Sequence, residues 1–410
     1  MSNANFITVS AIVNTTLNAM NCGGDHLPKE VNFGGYDRAR ASSQSQKFAL
    51  RKSKEFENII SDYASLSFRT ADIGEYVWKN LNNAPEEFHD SVLALCDTIG
   101  KKKEKEKKDK KSTENTVVWD KKTDTYTFSD KITLKVPNYG KRSKQIMIYS
   151  DALCKFMVET IQKFVDACDG DIHKFLCFNN SHIFERKDEQ KVVGMTYDTA
   201  LFGAMTASKF SDTIPASMSV MDMFSIDRLV RESDYYIASD DFVLSNPEQN
   251  GAANLGNIGL NSSCYFRYAS MDLDIARENF NQLGDADEII RNTVPEVMLL
   301  FSKTLPSGKS TSHLTPTQPS MLYITVQNKK QHYDYVNAFR TPVTVKSAGD
   351  DIVKMGIEKF VNQAERSQKF YDNGLMDSFY FCLDENVSGP KGSITVHSEE
   401  ELKNYLRKYL

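Results

Sequence analysis

The chemistry most legible in this chain lies between positions 38 and 51, at Arg38, Arg40, Ser43, Gln44, Lys47 and Arg51. They belong to the stretch FGGYDRARASSQSQKFALRK, residues 33–52, which joins a glycine pair, a basic turn and a helix start. Ser43 suits an N-cap, and Gln46 three residues on completes a capping-box pattern. At about 100° per residue, Gln44, Lys47 and Arg51 share one narrow face, while Ala49, Phe56, Ile60 and Tyr63 fall opposite. One side should pack on a core. The other offers two cations and an amide just past a helix N-terminus, where backbone N–H groups also favour anions. The plain alternative is a solvated basic face. The ligand this chemistry suits is a phosphodiester backbone.

Other motifs invite chemistry and mostly fail on spacing. Ser307-Gly308-Lys309-Ser310 ends like a P-loop, but Lys303 stands where the first glycine belongs and Pro306 disturbs the nest of amides. Nucleotide hydrolysis is therefore not expected there. Asp25-His26 beside Gly23-Gly24 has the makings of an acid/base pair, yet a loop of this composition more often does turn chemistry. The histidines form no HxH or HExxH pattern and the seven cysteines no CxxC, so neither a metal nor a cofactor is expected. Tyr235-Tyr236 stands in an acidic, turn-bounded segment with little core nearby. Adjacent strand residues face opposite ways, and an exposed ring there can stack on a base of any identity. Met205 is a flexible apolar side chain suited to act as a wedge.

The elements that would position these groups read as follows. Asn5–Val13 has strand character, and a loop over residues 14–32 leads to the basic helix. Pro85–Ile99 reads as a helix closed by Gly100, and Ser150–Cys168 as a second with Gly170 beyond its end. Thr116–Phe128 reads as a hairpin, and Lys101–Lys111 as a solvated charge run. Leu229–Ile258 reads as a hairpin with Pro247 and Gly251 as turn formers. Strands are expected at Ser262–Leu273, Met321–Val326 and Ser393–Val396. A last helix runs over Glu399–Leu410, capped by Ser398 with Glu401 as the box partner. No internal repeat is evident.

At 410 residues with 40% apolar content the chain can bury a real core in two or three domains. A formal charge of −5 does not announce a nucleic-acid binder, but its distribution is uneven. Residues 31–52 hold Arg38, Arg40, Lys47, Arg51 and Lys52 against Asp37 alone, whereas residues 212–248 hold eight acids against Arg228 and Arg231. Unpaired cysteines, a polar N-terminus without a signal-peptide pattern and no long apolar run lead us to expect a cytoplasmic protein without a membrane span.

Phe33-Gly34-Gly35, Arg38, Arg40 and Ser42 through Lys52 resemble the signature of the CasC family, the repeated backbone subunits of the type I-E CRISPR surveillance complex, Cascade. Leu201-Phe202-Gly203-Ala204-Met205 is similar to the family's LFGRM motif, with Ala204 in place of its arginine. Asp234-Tyr235-Tyr236, the segment Gly251–Gly256, Tyr265–Ala269 and Leu305–Lys309 follow in family order. The resemblance implies an α+β chain: a ferredoxin-like, RRM-type palm (1–63 and 259–410), a mainly helical fingers insertion (64–220) and a protruding β-hairpin thumb (229–258). It implies guide-RNA contacts at Arg38, Arg40, Ser43, Gln44, Lys47, Arg51 and Lys309, and base displacement by Met205, Tyr235 and above all Tyr236. It implies a non-catalytic role and, as partners, CRISPR guide RNA, target DNA through the guide, further copies of the chain, and the large, small and guide-end-binding Cascade subunits. Related type III backbone subunits cut target RNA through a loop aspartate. The alternative expectation is therefore a ribonuclease using Asp25.

Overall fold

The computed structural model describes residues 4–98, 117–120, 122–123, 125–128, 146–180, 194–205, 213–239 and 252–410. The Lys101–Lys111 run, Gly100 and the 240–251 part of the hairpin lie outside the described residues. Contacts divide the chain into two compact units, Met1–Tyr63 with Ser217–Leu410, and Ala64–Ala216.

In the first unit the elements follow in the order β1 (Phe6–Asn14), β2 (Glu30–Phe33), β3 (Tyr36–Ala41), α1 (Ser43–Lys52) and α2 (Lys54–Ile60). After the excursion through the second unit come β4 (Met218–Val220), β5 (Met223–Ser225), β6 (Arg231–Ser239), β7 (Ala252–Asn261) and β8 (Cys264–Asp272). Then follow α3 (Leu273–Phe280), α4 (Ala286–Lys303), β9 (Met321–Gln327), α5 (Ile352–Phe370), β10 (Leu375–Cys382), β11 (Ile394–Thr395) and α6 (Glu399–Arg407). Nine of the strands form one sheet in the order β11-β10-β9-β1-β8-β5-β3-β2, with β4 also on β8. β6 and β7 pair with each other as a separate two-stranded sheet, and Asn261 at the end of β7 also bridges Asn18.

β1 is central, flanked antiparallel by β8 and β9. Every residue from Phe6 to Val13 is buried, because both faces of this strand are covered. Ile12, in register with Phe266 and Met321, faces a core shared with Tyr323, Tyr380 and the α5 residues Ile357, Phe360 and Ala364. Burying each of these large side chains contributes about 1.5–3 kcal/mol. The opposite face carries Ala11 and its register partners Arg267 and Leu322. There Leu299 of α4 and Leu402 of α6 line a cavity of about 390 Å³ with Leu322 and Phe381.

The second unit is mostly helical over Ile73–Lys79, His89–Thr98, Asp151–Ala167, Ile172–Asn180 and Tyr197–Phe202. Two short antiparallel pairs join it, Phe68–Thr70 with Met147–Tyr149 and Val117–Asp120 with Thr125–Phe128. Its core gathers Val77, Phe88, Val92, Met157, Ile161, Phe164 and Phe175. The helix expected over Pro85–Ile99 opens as a 3₁₀ turn, Glu86–Phe88, before His89. The hairpin expected over Thr116–Phe128 and the helix expected after Ser150 both form, and Ser150 caps the latter by accepting from Leu153 N–H at 3.1 Å.

Candidate nucleic-acid interface

The basic helix begins one residue earlier in its cap than its sequence suggests. Ser42, not Ser43, is the N-cap, accepting from Ser45 N–H at 3.3 Å. Ser42 wins because its own N–H is held by the Asn21 side chain at 2.9 Å, which fixes the entering chain. The expected Ser43–Gln46 box does not form. Ser43 N–H instead donates to Asp222 Oδ1 at 2.6 Å, and Gln46 is buried. The helix also stops sooner. Ser53 closes α1 and caps α2, accepting from Phe56 N–H at 3.2 Å.

Of the expected α1 face, Gln44 is exposed, Lys47 half-buried and Arg51 buried. Arg51 therefore stands inside and not on the surface where its spacing put it. Arg38 is a second correction. It is fully buried, and its guanidinium donates to the Ser225 and Phe339 carbonyls, both at 2.8 Å. Its job is to tie β3 to β5 and to the 336–339 turn, and a side chain without exposure cannot meet a phosphate. Burial lowers its pKa, partly opposed by Asp227. The first glycine of the neighbouring pair has a packing role as well. Gly34 sits at φ +65° against the Arg340 carbonyl, where a Cβ would collide.

Arg40 is half-buried and paired with Asp222, Nε and NH2 lying 2.7 and 2.6 Å from Oδ2. The Asp222 carboxylate thus occupies the place at the α1 N-terminus that an external anion would take. Nothing in the local sequence around Asp222 marks this role.

Lys309 is brought to the same region by backbone packing. Gly308 N–H donates to Met20 O at 3.2 Å, and a Cβ on Gly308 would sit 2.6 Å from that oxygen. Met20 joins Ala39, Ala41, Met223 and Tyr265 in a small core that also packs Leu305. Lys309 and Lys29 both stand near enough to Cys22 to favour its thiolate, but burial outweighs them and raises the thiol pKa. Asp25 lies near the same thiol and acts in the opposite direction. Its Oδ1 accepts from Leu27 N–H at 3.2 Å, an Asx-turn contact. Among the described residues no three His, Cys, Asp or Glu side chains are grouped to hold a metal ion.

The loop over residues 22–30 also buttresses the β6–β7 hairpin. Glu30 forms an ion pair with Arg231, and Leu27 packs where a Cβ on Gly259 would lie 2.6 Å from its Cδ2. A shallow groove of about 180 Å³ follows, lined by Asp25, Leu27, Lys29, Arg231 and Asn261. Further along, Tyr235 pairs with Asn257 and Tyr236 with Gly256. Tyr235 is 61% and Tyr236 42% exposed. The Tyr236 ring lies over Gly256, in the space a Cβ there would need.

Met205 belongs to the second unit and is 90% exposed. It follows Gly203 (φ +73°) and Ala204, whose N–H and carbonyl both pair with Ile214. The preceding helix is anchored by buried Asp198, which accepts from Ser67 N–H and Oγ and pairs with Arg69 at 3.0 Å.

The first unit therefore gathers α1, the 22–30 loop, the 305–310 loop and the root of an exposed aromatic hairpin. The overall fold of the chain is similar to that of chains from solved CRISPR surveillance assemblies. A chain described as "CRISPR RNA-guided surveillance complex, pre-nicking" matches with a TM-score of 0.71 and 20% identity, covering 99% of this chain and 100% of that one. Another, from a "CRISPR RNA-guided surveillance complex", matches with a TM-score of 0.57 and 17% identity, covering 98% of each. No curated protein matches the sequence. The chain belongs to the CT1975-like protein family, whose model spans residues 7–408.

Proposed function

We propose that this protein is a non-catalytic backbone subunit that oligomerises along CRISPR guide RNA and presents it for pairing with target DNA. The observation that carries the proposal is that one compact unit combines the exposed Gln44, the half-buried Lys47 and Arg40, the 305–310 loop that bears Lys309, and a hairpin that exposes Tyr235 and Tyr236. The fold shared with surveillance-complex chains supports it. The strand order β9-β1-β8-β5, with α1–α2 and α3–α4 as intervening helices, supports reading the first unit as a ferredoxin-like palm. In this reading Ala64–Ala216 is the fingers and β6–β7 the thumb.

Cations on the palm hold phosphates without reading bases. The thumb crosses the guide, and its Tyr236 fills the gap left by a displaced base; Met205, on the other unit, is an exposed apolar side chain available as a wedge. Sequence is then read by base pairing alone. Pre-ordering the guide in short segments reduces the entropy lost on pairing. The type I-E partner subunits and a cytoplasmic location complete the proposal. Among the described residues no helix is long and apolar enough to cross a membrane. The turn contact of Asp25 favours a structural over a catalytic aspartate.

A mismatch scan of target DNA against the assembled complex tests this reading. Tolerated mismatches should recur at a fixed interval, opposite the displaced bases. Uniform sensitivity along the guide would refute base displacement.

A further inference from the structure

Arg267 is completely buried on the α4 side of the sheet, in register with Ala11 of β1. Its Nε donates to Gln46 Oε1 at 3.2 Å and its NH1 to Ser302 O at 3.0 Å. Its Cζ lies 4.5 Å from the centroid of the Phe301 ring. Among the described residues its NH2 has no hydrogen-bond partner. Burial lowers its pKa, to about 9, so it stays charged at neutral pH, and among the described residues no carboxylate forms an ion pair with it. A buried cation offset only by a carbonyl, an amide and a ring face costs stability. An apolar residue of similar volume would serve a purely structural site better.

Gln46 gives the arginine a consequence outside the core. It is itself fully buried, one residue before Lys47, and its Nε2 donates to Met221 O at 2.9 Å and more weakly to Ala41 O. The chain Ser302–Arg267–Gln46–Met221 therefore runs from the C-terminal end of α4, through β8, into the first turns of α1, and on to the residue before Asp222. The negative pole of α4 and the guanidinium suit each other. The amide of Gln46 is held at both ends, which leaves α1 no freedom to rotate about its axis without breaking one of these bonds.

We infer that Arg267 is a positioning residue for nucleic-acid backbone binding: through Gln46 it fixes the rotation of α1, so that Gln44 and Lys47 are aimed at phosphates before any ligand arrives. The inference rests on the proposed RNA role of α1. Neither Arg267 nor Gln46 touches ligand.

The test uses the full chain, with Arg267→Met, Gln46→Met and the double variant, and Lys47→Ala as the direct-contact control. Amide exchange of α1 is measured without RNA, and affinity for a fluorescein-labelled single-stranded guide RNA is measured across a salt series. Both single variants should speed exchange at residues 47–50 and weaken RNA binding about tenfold, the cost of a loosened supporting shell. Their salt dependence should match the wild type, because no phosphate contact is removed. Lys47→Ala should instead flatten the slope by about 0.7. The double variant should bind no worse than either single one, since both break the same chain of bonds.

Wild-type exchange in α1, wild-type affinity per folded molecule, or additive losses in the double variant would overturn the inference. If Arg267→Met does not fold, Gln46→Met decides alone by the same readings. If Lys47→Ala leaves affinity and slope unchanged, it is the RNA reading of α1 that falls, whereas the exchange data still report whether Arg267 holds the helix.

Discussion

Replacing Asp222 by Asn should tighten RNA binding while slightly destabilising the protein. The Asp222 carboxylate accepts from Ser43 N–H at 2.6 Å and holds Arg40 at 2.6 Å, with side-chain exposures of 31% for the arginine and 38% for the acid. Asparagine keeps the shape and one oxygen for the helix cap but removes the charge. Loss of a cap costs about 1 kcal/mol and loss of a part-exposed ion pair about 0.2–1 kcal/mol. Retention of the amide oxygen should keep the total near ~1 kcal/mol. The gain is electrostatic. A phosphate on Arg40 no longer faces a unit negative charge about 4 Å away, worth about 1 kcal/mol in water, or about fivefold in affinity. Arg40 also becomes available to displace a counterion, so the salt slope on single-stranded RNA should steepen by about 0.7. Fluorescence anisotropy between about 50 and 200 mM salt, with thermal unfolding in parallel, reads both effects. Unchanged or weaker binding with the wild-type slope would refute the placement of Arg40 at the backbone.

Tyr236→Ala should cost about 1–3 kcal/mol of stacking per copy, measured as RNA affinity, and Tyr235→Ala less. Gly256→Ala should mimic the loss by pushing the Tyr236 ring off its seat; equal effects at 235 and 236 would count against a single inserted ring. Asp227 gives a pH prediction. Burial pushes its carboxyl up to about 6 from an ordinary 3.8, against the hydrogen bond it accepts from Cys264 N–H. The folded state thus keeps a proton that the unfolded chain has released, so its contribution to stability is full below about pH 4 and is lost as pH rises through about 6. Asp227→Asn should flatten that part of the melting-temperature profile, and an unaltered profile would contradict the assignment. Asp25→Asn should leave assembly intact, and the wild-type complex should leave bound RNA uncut; metal-dependent, regularly spaced cuts abolished by the substitution would make the chain a nuclease.

Local signals carried the elements well and the site only in part. β1 was readable because apolar and β-branched residues fill both of its faces, and the last helix because Ser398 accepts from Glu401 N–H at 3.1 Å as its pattern suggests. Glu401, however, bonds the His397 N–H and not that of Ser398. At α1 the adjacent Ser42 and Ser43 compete for the cap, and Asn21 and Asp222, remote in sequence, decide between them. Periodicity correctly grouped Gln44, Lys47 and Arg51 but says nothing of what covers a face, so the burial of Arg51 was invisible. Arg38 and Arg40 were read together as part of a basic turn, whereas they lie in the strand β3. Only tertiary structure makes the first a carbonyl staple and the second an ion pair. Arg267 lay in a stretch of strand sequence, where a lone arginine gives no sign that it reaches Gln46.

The most direct test of the central claim is native mass spectrometry of the purified protein reconstituted with guide RNAs of graded length. The account predicts several copies on each guide, with the copy number rising by whole units as the guide is lengthened by a fixed increment. One copy per guide at every length, or no assembly with guide RNA, would contradict it.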